Sequence, residues 1–120
     1  MNETIRIRMY LNELKTTLDR FCVEGCIYDA EEIYNKIKVI VKDYPDQPDM
    51  QACLANSCLN LIGAHIKSDN FDKALALLKD FERLTTFIEG GEEQARYIKN
   101  FIRCLDDRER WQEELWTTQG

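Results

Sequence analysis

The chain has 120 residues, of which 44% are hydrophobic and 32% are charged, a balance typical of one soluble globular domain. Its net charge of −6 argues against a nucleic-acid partner, because phosphate backbones are bound by clustered lysine and arginine. No apolar run approaches the ~20 residues that a membrane span needs, so no membrane partner is expected. The first residues show no secretory signal, and we therefore expect a cytoplasmic protein.

The first two predicted helices form a hairpin around a glycine. The first runs from about Glu3 to Val23, and Gly25 occupies the position where a left-handed residue ends a helix. The second is predicted to begin at Asp29, whose side chain can cap the helix while Glu32 completes a capping box. Pro45 ends it, because the residue before a proline is pushed out of the helical region. The apolar positions of the first helix, three or four residues apart, are Ile7, Leu11, Leu14, Leu18 and Phe21.

A second pair of helices follows the proline. The third helix is predicted to open at Pro48, which suits the first helical position, and to run to about Lys67. Asn70 is the predicted N-cap of the fourth helix, which begins at Phe71 and continues until Gly90-Gly91 ends it. No apolar–polar alternation lasts long enough to predict a strand.

The last part of the chain allows two interpretations. Residues Glu92–Asp106 and Arg108–Trp116 can form two short helices, which gives six helices in total. The alternative is a single helix from Glu92 to Trp116, which gives five helices in total. It is supported by residues that keep helical spacing along the whole segment: Tyr97, Phe101, Cys104, Arg108, Trp111 and Leu115.

The chain repeats its apolar pattern after 44 residues. Shifting residues 45–88 onto 1–44 without a gap superposes the following pairs: Leu14 on Cys58, Leu18 on Ile62, Ala30 on Ala74, Tyr34 on Leu78 and Ile37 on Phe81. A fixed period of this size is typical of stacked helical hairpins. We therefore predict an all-α domain of antiparallel hairpins, with hairpin 1 over 1–44, hairpin 2 over 45–88, and a capping hairpin or long helix over 89–120.

The second hairpin resembles a tetratricopeptide repeat, and the match is strongest over residues 55–88. Its segment Leu61-Ile62-Gly63-Ala64-His65 precedes Asn70-Phe71-Asp72-Lys73-Ala74-Leu75, where Phe71 stands for the family's aromatic residue and Ala74 for its small one. The family's period is 34 residues, whereas 44 lies in the range of HEAT-type hairpins. The resemblance implies a right-handed superhelix whose first, third and fifth helices line a concave groove for a peptide.

The same resemblance implies a set of groove residues, because some tetratricopeptide proteins grip a partner's carboxylates with Lys, Arg and Asn side chains. The corresponding positions are Lys15, Asp19, Asn56, Asn60, Arg96, Lys99, Asn100 and Arg103. The alternative interpretation is that these are ordinary solvated residues on amphipathic helices.

Catalytic patterns are absent from the sequence. His65 is the only histidine and falls on a buried position, so a triad or a two-histidine metal site is not expected. The five cysteines follow no disulfide or zinc spacing, and no phosphate-binding loop is present, so no metal and no cofactor are predicted. A thiol enzyme that uses Cys22 or Cys26 is the least favoured alternative.

The sequence predicts a non-enzymatic protein–protein interaction module, such as an adaptor or a small chaperone, that binds a protein or peptide. Trp111, Leu115 and Trp116 form an apolar edge that can cap the domain or join two chains. A structural homo-oligomer, for example a homodimer without a peptide ligand, is the main alternative.

Overall fold

The structure, a computed structural model, describes residues 2–119, and it describes side chains over residues 2–108. It contains five α-helices and no strand over that range, so the prediction of an all-α fold is confirmed. The helices are α1 (Glu3–Glu24), α2 (Ile27–Lys42), α3 (Pro48–Lys67), α4 (Phe71–Glu82) and α5 (Gly91–Gln119), with a short 3-10 helix over Thr85–Phe87.

The turn between α1 and α2 is tighter than predicted. Gly25 takes a left-handed conformation with φ 78°, and the Cys26 N–H donates back to the Phe21 carbonyl over 2.8 Å. Cys26 then becomes the N-cap, since its own carbonyl accepts from Ala30 N–H at 3.0 Å. The predicted start at Asp29 and its capping box are therefore wrong: α2 begins two residues earlier, and no side chain caps it.

The second hairpin confirms its predicted starts but not its predicted end. Pro48 occupies the first turn of α3, and Asn70 stands at the N-cap position of α4, although its side chain makes no capping hydrogen bond. The prediction that α4 continues to Gly90-Gly91 is wrong, since it ends at Glu82. The Thr85 hydroxyl donates to the Glu82 carbonyl at 3.3 Å, and the chain tightens there into the 3-10 turn.

The buried residues follow the 44-residue shift. Ala30 and Ala74 are both fully buried, and so are Ile37 and Phe81. The helix α3 lies at the centre of the packing, since it contacts α1, α2 and α4, whereas α5 packs mainly on α4 and the 3-10 helix. The antiparallel hairpins are thus present, and the right-handed superhelix stays a prediction.

The last helix resolves the choice between one helix and two. The backbone of α5 continues without interruption from Gly91 to Gln119, so the fold has five α-helices rather than six. Ala95 and Ile102 on α5 are buried against the core. At 1.5 Å per residue, α5 spans about 43 Å and α4 only about 18 Å, so α4 supports just the first half of α5. Within the described range, none of these helices has the length and apolar character of a membrane span.

Candidate binding face

Two adjoining depressions mark one side of the domain, which we call the α1–α3–α5 face. The first has a volume of about 400 Å³ and lies between α1 and α3, with Asp19, Val23 and Gly63 among its lining residues. The second has a volume of about 590 Å³ and lies between α3 and α5, with Tyr97 and Ile98 in its wall. Leu59 lines both depressions, so they form one continuous surface.

The α1 end of this face is polar, and its groups bind one another. Lys15 Nζ lies 2.8 Å from Asp19 Oδ2 one helical turn along α1. Asn60 on α3 donates through Nδ2 to Asp19 Oδ1 over 2.5 Å. Asp19 therefore joins Lys15 to Asn60, and the Lys15 ammonium already has a carboxylate partner within its own chain.

The structure does not bring the remaining predicted groove residues to this network. Arg96 and Lys99 line a different cleft, of about 310 Å³, together with Glu82 on α4 and Thr85 in the 3-10 helix. The other three predicted residues are exposed on α3 or α5: Asn56, Asn100 and Arg103. Arg96 and Lys99 thus lie in a different cleft from Asp19 and Asn60. Among the eight predicted positions, direct contacts join Lys15, Asp19 and Asn60.

The α5 end of the face is apolar, and the prediction missed it. Tyr97 is 70% exposed and Phe101 is 41% exposed, although both are large hydrophobic side chains. Their rings stack with centroids 6.2 Å apart and planes inclined by 13°. The signal in the sequence was a second apolar stripe on α5, on which Tyr97 and Phe101 lie at helical spacing. Exposed apolar clusters of this kind mark interaction sites.

Gly63 lies between the two ends, in the wall of the first depression. A Cβ atom built at this position would meet nothing within 4 Å, so close packing inside the domain does not require a glycine. Glycine in a helix interior costs about 0.5–1 kcal/mol relative to alanine. The missing side chain leaves open space in the depression, where a partner's chain can approach the α3 backbone.

The predicted oligomer edge lies outside the described side chains. Trp111, Leu115 and Trp116 belong to the continuous backbone of α5. No side-chain contact is described for them.

The buried histidine connects three helices. His65 on α3 is fully buried, as the sequence predicts, and its Nδ1 lies 3.4 Å from the Asn70 amide. Glu31 Oε1 on α2 lies 2.8 Å from His65 Nε2, but Nε2 makes no properly directed hydrogen bond, so the contact is close without being in line with the ring N–H. We interpret this contact as a structural link between α2 and α3.

Three of the cysteine thiols have a raised pKa. Burial raises the pKa of the Cys22 thiol, whereas a nucleophilic cysteine requires a lowered pKa. Burial also raises the pKa of Cys53, and raises that of Cys58 to about 11. Within the part of the chain whose side chains are described, no three His, Cys, Asp or Glu residues are arranged to hold a metal ion.

Comparison with known proteins adds no relative: no family model matches the chain, and no curated protein and no solved structure matches it. The likeness to tetratricopeptide repeats therefore rests on the residues of the second hairpin alone.

Proposed function

We propose that this domain is a protein–protein interaction module that binds a peptide segment along the α1–α3–α5 face. The observation that carries the proposal is the stacked pair of Tyr97 and Phe101, both exposed on α5, with Tyr97 beside Leu59 in the wall of the larger depression. Aromatic side chains dominate the energy of many protein interfaces, and a folded domain gains nothing by leaving two of them in water.

The two ends of the face favour different parts of a ligand. Leu59, Tyr97 and Ile98 line the larger depression, which suits aliphatic or aromatic anchors on a peptide. Asp19 and Asn60 present a carboxylate and an amide at the other end, where they can fix the register of a polar peptide group. An amphipathic helix with apolar side chains three and four residues apart matches this division, because such helices bind apolar grooves through one stripe.

A carboxylate clamp is not the mode of binding that these contacts favour. Lys15 is engaged by Asp19, and Arg96 lines the cleft with Glu82 rather than the depression with Tyr97. The ligand that we propose is therefore recognised by its apolar stripe. A cytoplasmic adaptor or a small chaperone that holds a helical segment of a partner would use such a face.

A peptide selection with matched variants tests the proposal. Random peptides displayed on phage are selected on the wild-type domain, and the affinity of the selected peptide is measured by fluorescence anisotropy. Gly63→Leu, which fills the first depression, and Phe101→Glu, which places a charge on the apolar end, should each weaken binding at least roughly tenfold. Val39→Glu is the control, since Val39 is 68% exposed on α2 and lines neither depression.

Two results would contradict the proposal. One is a selection that yields no peptide with measurable affinity for the wild-type domain. The other is a selected peptide that binds Gly63→Leu and Phe101→Glu as tightly as it binds the wild-type domain.

A further inference from the structure

A pocket between α2 and α4 shares no lining residue with the two depressions of the α1–α3–α5 face, and we call it the α2–α4 pocket. It has a volume of about 310 Å³, and Leu61 and His65 of α3, both fully buried, line its floor. The lining residues from α2 and α4 are Glu31, Tyr34, Asn35, Lys38, Lys73, Ala76, Leu77 and Asp80. Ligand sites in proteins have volumes of about 300–1,000 Å³, so this pocket suits a small ligand.

Side-chain contacts join the two walls of the pocket. Lys38 Nζ on α2 lies 3.1 Å from Asp80 Oδ2 on α4, and the Tyr34 hydroxyl donates to the same oxygen over 3.5 Å. Lys73 Nζ on α4 lies 5.4 Å from the centre of the Tyr28 ring on α2. These contacts hold α2 and α4 on either side of the pocket, so its shape does not depend on a ligand.

Two charged groups in the wall of the pocket have no ionic partner. Lys38 and Asp80 pair with each other. Among the residues whose side chains the structure describes, Glu31 pairs with no lysine or arginine, and Lys73 pairs with no carboxylate. One acid and one base therefore line the same small volume without a contact between them. A ligand that carries both signs of charge complements both groups.

A buried nitrogen behind Glu31 provides a second, independent observation. His65 Nε2 is buried and makes no hydrogen bond, although Glu31 Oε1 lies 2.8 Å away. The Asn70 amide nitrogen, which can only donate, lies 3.4 Å from His65 Nδ1, and this arrangement leaves a ring hydrogen on Nε2. An unpaired buried donor is unfavourable. A ligand that binds the other oxygen of Glu31 can turn the carboxylate into line with this N–H.

We propose that the α2–α4 pocket binds a small amino acid, whose ammonium group contacts Glu31 and whose carboxylate contacts Lys73. Both contacts are charge-assisted hydrogen bonds, which are the strong class. The methylene groups between the two charges of the ligand pack on Ala76 and Leu77. A ligand with a single charge makes only one of the two contacts. The site does not depend on the peptide-binding function proposed above.

A series of amino acids that differ in length tests the proposal. The ¹⁵N-labelled chain is titrated with glycine, β-alanine, γ-aminobutyrate and δ-aminovalerate, and amide shifts are followed. At least one of them should give saturable shifts at Glu31, His65 and Lys73. Propylamine and butyrate, which each keep one charge of γ-aminobutyrate, should bind at least roughly tenfold more weakly than the best of the series. A series in which none binds would overturn the proposal, and so would propylamine or butyrate that binds equally well.

Matched variants test the two charges. Glu31→Gln and Lys73→Gln should each weaken binding of the best amino acid at least roughly tenfold. Glu32→Gln on α2 and Lys79→Gln on α4 are the controls, since both residues are exposed and neither lines the pocket. Undiminished binding by Glu31→Gln or by Lys73→Gln would contradict the placement of the ligand.

The histidine ring provides a separate readout. His65 is the only histidine, so its ring nitrogen signals are assigned without ambiguity. The Nε2 signal should shift when the amino acid binds the wild-type chain, because Glu31 connects the ligand to the ring. A ring signal that stays fixed at saturation would contradict the contact between the ligand and Glu31.

A substitution in each site separates this proposal from the peptide-binding function. Ala76→Leu should block the α2–α4 pocket and leave peptide binding intact, because Ala76 lines neither depression of the α1–α3–α5 face. Gly63→Leu should have the opposite effect. An Ala76→Leu chain that binds the amino acid as tightly as the wild type would overturn the α2–α4 site alone.

Discussion

Asn60 on α3 donates a hydrogen bond of 2.5 Å to Asp19 on α1, across 41 residues of sequence. The 44-residue repeat does not relate these two residues, since it superposes Asn60 on Thr16. The contact therefore arises from the way the two hairpins pack, and it fixes the polar end of the α1–α3–α5 face.

The first prediction concerns this contact. Both side chains are accessible to solvent, so water and salt weaken the interaction, and it should contribute less than about 1 kcal/mol to folding. A double-mutant cycle of Asp19→Ala and Asn60→Ala, measured by urea unfolding, should give a coupling energy of roughly 0.2–1 kcal/mol. A coupling of zero, or an unfolding of the domain by either single variant, would contradict this view of the site.

The second prediction tests whether Ala74 on α4 is buried in the core. Ala74→Glu places a carboxylate at a fully buried position in α4, and the loss of stability should reach several kcal/mol because the charge is removed from water. Ala76→Glu is the matched control, since Ala76 is exposed on the same helix. Thermal unfolding should show a large loss for the first variant and almost none for the second. Equal melting temperatures for the two variants would mean that α4 does not pack as described.

The third prediction compares two glycines that the same substitution affects in opposite directions. Gly63→Ala should stabilise the domain by about 0.5–1 kcal/mol, because alanine favours the helix and its Cβ meets nothing within 4 Å. Gly91→Ala should destabilise it, because a Cβ there would collide with the backbone of Thr85. Chemical denaturation measures both changes, and a Gly63→Ala variant less stable than the wild type would show that α3 packs differently there.

The sequence predicts the interior of this domain better than its face. Apolar residues at helical spacing must be buried together, and the 44-residue shift therefore predicts the buried pair Ala30 and Ala74. Helix ends depend on side-chain hydrogen bonds that compete with those of the helix backbone. At the end of α4, the Thr85 hydroxyl donates to the Glu82 carbonyl, and the helix ends at Glu82.

The face was harder to predict for a different reason. The sequence predicts that a charged residue on an amphipathic helix is exposed, but it does not predict which residues lie next to it. Arg96, for example, lines the cleft that also contains Glu82. Tyr97 and Phe101 carry the stronger signal, but their exposure depends on which face of α5 packs on the core. That face carries Ala95 and Ile102, and the stripe with Tyr97 and Phe101 is left exposed.

The fourth prediction concerns alkaline pH. Burial raises the pKa of the Cys58 thiol from its ordinary value of 9.0 to about 11, so the unfolded chain loses this proton more easily than the folded one. The thiol's contribution to stability is thus fully present below pH 9 and is lost as the pH rises towards 11. The free energy of unfolding should fall by about 2–3 kcal/mol over this interval.

Unfolding by urea at a series of pH values measures the slope. Burial also raises the pKa of Tyr34, so Cys58→Ala should reduce the slope without abolishing it. Cys104→Ala is the control, because Cys104 is exposed. A slope that Cys58→Ala does not alter would show that this thiol is not buried as described.

The proposal that a peptide binds the α1–α3–α5 face can be tested by titrating the ¹⁵N-labelled domain with the selected peptide and following the amide chemical shifts. We expect the largest changes at Asn60, Gly63, Tyr97 and Phe101, since these residues line or flank the two depressions. Tyr28 and Val39, which are exposed on α2, should not move. Changes concentrated on α2 and α4, with none around Gly63 and Tyr97, would contradict peptide binding at this face.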